Sequence, residues 1–229
     1  MWRQYSEAQR RSGDPFLAAA GDVQRAWQLA CRGDTASLFD LLDHYGPLTP
    51  RSFGSGHHRH ARAADTPSSI HWIQLELSRT ALRSAIWSRT PALAHAARAM
   101  LQDAVEDTGV QADTDFWIVE PLCHGAAVFG WSEAPWAAYE RLLVMLDHPR
   151  SHQHQLFGSG LLARRSATPA GSYFCSAAQA ATAAHAGPEW ATDAWLEAHV
   201  EGTQGSLESA RQLVQQYHLG AFTTRLSAA

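Results

Sequence analysis

The chain has no lysine and no asparagine, so arginine supplies all 18 of its strongly basic side chains, and isoleucine occurs only four times in 229 residues. With alanine abundant, this is the codon signature of a GC-rich genome and points to a bacterial source. A basic surplus is also missing, since the formal net charge is -4. Binders of nucleic acid or anionic membrane usually display such a surplus, so neither is an expected partner. Cysteine is scarce. Cys31, Cys123 and Cys175 form no CxxC and no repeated spacing, which excludes a disulfide framework or zinc ribbon and fits a reducing compartment. No stretch approaches the roughly 18 apolar residues of a membrane span, and Met1-Trp2-Arg3-Gln4-Tyr5 lacks the apolar core of a signal peptide. The expected location is the cytoplasm. HExxH, GxGxxG, a P-loop and a GxSxG elbow are absent as well, so no catalytic residue, resident metal or cofactor is expected.

What the chain does have is the composition of a packed helical protein. Hydrophobic residues make up 45% and charged residues only 17%, and alanine favours helix over strand. Asp14-Pro15 opens a predicted helix that runs to Arg32. Gly33-Asp34 breaks it and caps a second, which carries Leu38, Leu41 and Leu42 and ends at Gly46-Pro47. Residues 46–67 read as a long loop. Thr66-Pro67-Ser68 starts a helix whose Ile70, Ile73, Leu77 and Ala81 share one face, widened by Trp72, Leu75, Leu82 and Ile86. Thr90-Pro91 opens the next, closed by Gly109.

Residues 115–130 contain the strand-like run Phe116-Trp117-Ile118-Val119, but Leu122, Ala126 and Phe129 keep a helical step, so helix is preferred. Ser132 is the expected cap of a helix ending at His148-Pro149. Residues 149–171 read as a second long loop, followed by helices over 172–186, 188–200 and 206–218. The fold class is all-α, a compact single domain over residues 1–229 with about eight to ten helices.

One pattern occurs twice. Leu41-Leu42-Asp43-His44, eight residues, then Phe53-Gly54-Ser55-Gly56 returns as Met145-Leu146-Asp147-His148, eight residues, Phe157-Gly158-Ser159-Gly160. The copies are offset by 104 positions (157 minus 53), and Gly21 and Trp27 fall on Gly125 and Trp131. An internal duplication of helix, helix, long loop, helix, helix follows, with units at 15–108 and 119–212.

The candidate sites come from that repeat. Asp43-His44 and Asp147-His148 lie at predicted helix ends, where histidine bonds the last carbonyls and complements the helix dipole. The alternative is a metal site that brings both Asp-His pairs together. The loops add cationic clusters, Arg51, His57, His58, Arg59, His60 and Arg62 in the first and Arg150, His152, His154, Arg164 and Arg165 in the second. Such clusters suit a phosphate or an acidic protein surface. Phe-Gly-Ser-Gly reads as an aromatic anchor followed by a glycine turn, with an anion-binding nest as the alternative. Nine tryptophans are many for this length, and an exposed subset would serve as interface anchors.

An all-helical, Ala- and Trp-rich, Arg-only chain without a catalytic motif resembles the helical immunity proteins that neutralise bacterial toxins. The resemblance is one of size and architecture. It implies a protein-binding module that inhibits a partner enzyme by direct contact, the partner's face being acidic to match the loop arginines. The competing expectation is an enzyme or small-molecule binder that holds an anionic ligand at the two Gly/His/Arg loops.

Overall fold

The computed structural model describes residues 11, 15–45, 67–108, 111–146, 148 and 151–228. The side chains of 15–16, 43–45, 67–71, 107–108 and 112 lie outside that description. Among the described residues there are eleven α-helices and no strand. We number them α1 (Pro15–Arg32), α2 (Thr35–Tyr45), α3 (Pro67–Ser88), α4 (Pro91–Thr108), α5 (Phe116–Phe129), α6 (Trp136–Met145), α7 (His152–Arg165), α8 (Gly171–Ala183), α9 (Pro188–Val200), α10 (Ser206–Tyr217) and α11 (Thr223–Ala228).

The chain falls into two compact units. The first runs to Ala85 and resumes over Thr90–Gln111; the second comprises Ile86–Arg89 and Ala112–Ala229. In the first, α1 ends where Gly33 takes a left-handed φ of 71°, which lets Asp34 N–H reach the Leu29 carbonyl at 3.0 Å. Asp34 then accepts from Ser37 N–H at 3.1 Å and so caps α2, which packs back on α1. Helix α3 is buried without a break from Thr80 to Ala85 in this unit, more than one amphipathic stripe, and its last residues belong to the second unit.

In the second unit each helix packs on the next. Asp115 caps α5 by accepting from Trp117 N–H at 2.8 Å, and Gly130 closes it in the left-handed conformation, so the strand-like run is helical. The core joins Phe116, Val119 and Cys123 of α5 to Tyr139, Leu142 and Leu143 of α6, Phe157 and Leu161 of α7, and Phe174, Ala177 and Ala178 of α8.

Four expectations are corrected here. Residues 152–165 are a helix, not part of a long loop, and Phe157-Gly158-Ser159-Gly160 lies in its middle. Phe157 is buried as an anchor, but the glycines make no turn and present no nest. They allow close approach, since a Cβ on Gly158 would stand 2.5 Å from the Leu143 side chain and one on Gly160 2.7 Å from the Phe174 ring. Ser132 caps nothing, because α6 begins only after Pro135. His148 is not in a last helical turn, for α6 ends at Met145, and Asp147 lies outside the described residues.

The offset of 104 can be followed only in part among the described residues. Shifted by 104, α1 and α2 project onto 119–136 and 139–149, near α5 and α6, whereas α3, one continuous helix, projects onto 171–192, which holds all of α8 and the start of α9. Gly125 and Trp131 touch because the chain turns at Gly130, while Gly21 and Trp27 lie inside one continuous helix. The first tetrapeptide, residues 53–56, is outside the described residues.

Candidate functional site: a buried ionic centre

Helix α5 is apolar except at Glu120 and His124, one turn apart, and both are buried. Helix α9 carries Asp193 and Glu197 at the same spacing, also buried. Two like charges four residues apart destabilise an isolated helix, so their burial needs cations from elsewhere. Three arginines supply them. Arg225 of α11 donates to Asp193 Oδ1 at 2.6 Å and to Glu197 Oε1 at 2.7 Å. Arg164 of α7 donates to Glu197 Oε2 and to Glu201, both at 2.6 Å. Arg89, just past the end of α3, also donates to Glu197 Oε1. It sits at a φ of 52°, a left-handed conformation that costs about 1–2 kcal/mol for a residue with a Cβ.

His124 stands among the carboxylates, with Nδ1 3.9 Å from Glu120 and 3.8 Å from Asp193, and Nε2 3.8 Å from Glu197. Nε2 is buried and makes no hydrogen bond. The ring of Phe157 meets the imidazole edge to face at 4.9 Å between centroids. Trp87 donates its indole N–H to Asp193 Oδ2 at 3.1 Å and packs on Trp190 and Phe222. Apolar rings therefore wall the centre and lower the local dielectric, which strengthens each ion pair inside it.

The titrations follow from this packing. Burial alone pushes the Glu197 carboxyl up; Arg225, then His124 and Arg89, override it and hold it well below the usual carboxylate range. Burial lowers Arg89, against the pull of Glu197, whereas for Arg164 the pull of Glu197 and Glu201 outweighs burial and raises it. Burial, followed by Glu120, raises the Cys123 thiol far above its ordinary value, so it is no nucleophile.

His124, Asp193 and Glu197 each offer one ligand atom within 4.8 Å of the others, a nitrogen-and-oxygen set suited to first-row transition metals. Arg225 already occupies one lone pair on each of the two carboxylates. The arrangement as it stands is a closed salt-bridge network.

The residues expected from sequence are placed elsewhere or turned to other uses. Arg164 faces inward to Glu197 and Glu201, so it offers no free charge to a partner. His154 is buried against Trp190 and Trp117 at 4.8 and 5.0 Å. Arg165 is exposed and lies over the Trp136 ring at 5.1 Å, while His148 and His152 are exposed. Arg51, His57, His58, Arg59, His60, Arg62, Asp147 and Arg150 lie outside the described residues, as do the side chains of Asp43 and His44. The backbone of Asp43-His44 does occupy the last turn of α2. Compared with protein-family models, curated proteins and solved structures, the chain matches none.

Proposed function

We propose that this chain acts by binding another protein, in the manner of the helical immunity proteins it resembles, with inhibition of a partner enzyme as the outcome. The observation that carries this reading is on α6, where Val144 and Met145 are 81% and 74% exposed side by side. Single exposed apolar residues are ordinary, but two adjacent large ones at a helix end form a ready contact. The same unit exposes Trp117 at its surface, the residue type most often found at the energetic centre of interfaces. The ionic centre supports the reading from the other side, because its described donors and acceptors are largely spent on one another rather than presented to a substrate.

The products of the genes flanking its own are the first candidate partners. Mixed with the purified chain, one of them should form a complex, and a Val144→Ser/Met145→Ser variant should bind it at least tenfold more weakly. The melting temperature should hold, since surface substitutions usually change stability by less than about 0.5 kcal/mol. An equal affinity in the variant removes α6 from the interface. If no flanking product binds, the immunity reading fails with it.

A further inference from the structure

We propose that His124, Asp193 and Glu197 form a transition-metal site that Arg225 keeps closed, with α11 as its gate. The donor count carries the inference. Asp193 Oδ2 takes the Trp87 indole and Glu197 Oε2 takes Arg164, so both are committed whether or not α11 is in place. Arg225 alone holds Asp193 Oδ1 and shares Glu197 Oε1 with Arg89. When Arg225 leaves, each carboxylate regains one lone pair beside the fully enclosed His124, whose Nε2 has no hydrogen bond and stands 3.8 Å from Glu197 Oε1, and whose Nδ1 stands 3.8 Å from Asp193 Oδ2.

The spacing suits a metal. Ligand bonds of about 2.0–2.2 Å put neighbouring donors roughly 3.3 Å apart around a tetrahedral ion. Nε2 already stands 3.8 Å from Glu197 Oε1, and one ligand atom from each of the three residues lies within 4.8 Å of the others, so movements of up to about 1.5 Å close the set.

Charge points the same way. Glu120, Asp193, Glu197 and Glu201 against Arg89, Arg164 and Arg225 is four formal negative charges against three positive. Exchanging the single charge of Arg225 for a divalent cation makes it four against four. A nitrogen with two carboxylates selects zinc, manganese, iron or cobalt over calcium, which prefers oxygen alone. Because the competent state exists only with α11 displaced, the apparent affinity of the native chain is reduced by the fraction that is open.

The test uses the full chain with Co²⁺ as a spectroscopic probe and Zn²⁺ as its competitor. Arg225→Ala and Arg225→Gln should each bind one ion per chain, with cobalt absorption bands of a low-coordinate site and affinity about 100-fold above that of the native chain. Adding His124→Ala to either variant should abolish the bands. Should both variants be unfolded without metal, Zn²⁺ should restore the helical signal, and only with His124 present. Folded variants that bind no ion overturn the site, as do unfolded ones that Zn²⁺ leaves unfolded. Binding that survives His124→Ala overturns the ligand assignment, and equal affinity in the native chain overturns the gate.

Discussion

Two arginine–aspartate pairs in the second unit show how little the residue types alone decide. Arg225 meets Asp193 at 2.6 Å with side chains 5% and 1% exposed; Arg141 meets Asp113 at 3.6 Å with both 62% exposed. The buried pair has given up its hydration and recovers it through Arg225's second bond, to Glu197, and the Trp87 indole on Asp193. The exposed pair stays open to water, and its further contact, Arg141 to the Asp113 carbonyl, is 3.5 Å long. Removing one member from the first leaves charges stranded in a low-dielectric interior, whereas removing one from the second leaves a hydrated ion.

The sharpest way to test that difference is Glu197→Ala. Glu197 receives three guanidinium groups, all of which lose a partner at once. Breaking a buried ionic contact costs about 3–5 kcal/mol, so the variant should lie at the lower edge of folding stability by urea or thermal denaturation. A loss below about 1 kcal/mol would mean that water enters the centre freely.

Acid probes the same centre without mutation. The folded Glu197 carboxyl titrates well below the unfolded one, for which about 4.3 is ordinary. Its contribution is therefore complete above that value and disappears as pH falls toward the lower folded value, where the unfolded chain takes up the proton first. Denaturant midpoints measured downward from pH 6 should fall, and the fall should be shallower in Glu197→Gln. Identical slopes in the two proteins would assign the acid sensitivity to other carboxylates.

The contrast also explains what was legible in the sequence. Helix limits were, because they depend on local chemistry. Pro15, Gly33-Asp34, Pro67, Pro91, Asp115, Gly130 and Pro188 act within a turn of where they stand, and α1 and α9 begin and end where the pattern put them. Helix α7 was missed because its His, Gly, Ser and Arg content suggests a loop, while its stability comes from Phe157 and Leu161 in the core and from glycines that fit against Leu143 and Phe174.

The ionic centre was missed for a related reason. Glu120 and His124 are the only strongly polar side chains in an apolar helix, and Asp193 and Glu197 repeat their carboxylate at a repulsive spacing; both were signals. Their partners Arg89, Arg164 and Arg225 come from three other helices or their ends, and only the fold brings those together. Arg164 was singled out, but as a surface charge, because sequence gives an arginine's charge and not the direction it faces.

The smallest effect belongs to the exposed pair. Arg141→Ala removes one ion from a contact that is already long, hydrated and screened by salt. Its other polar contact, from Nη2 to the Asp113 carbonyl, is 3.5 Å, at the limit of a hydrogen bond. Alanine also favours helix at a position inside α6, which offsets part of any loss. The net change in unfolding free energy should fall within about 0.5 kcal/mol and should not vary between low and moderate salt by more than that. A cost above about 1 kcal/mol would place Arg141 with the buried arginines and remove the distinction between the two kinds of pair, because exposure would then no longer forecast what an ion pair contributes here.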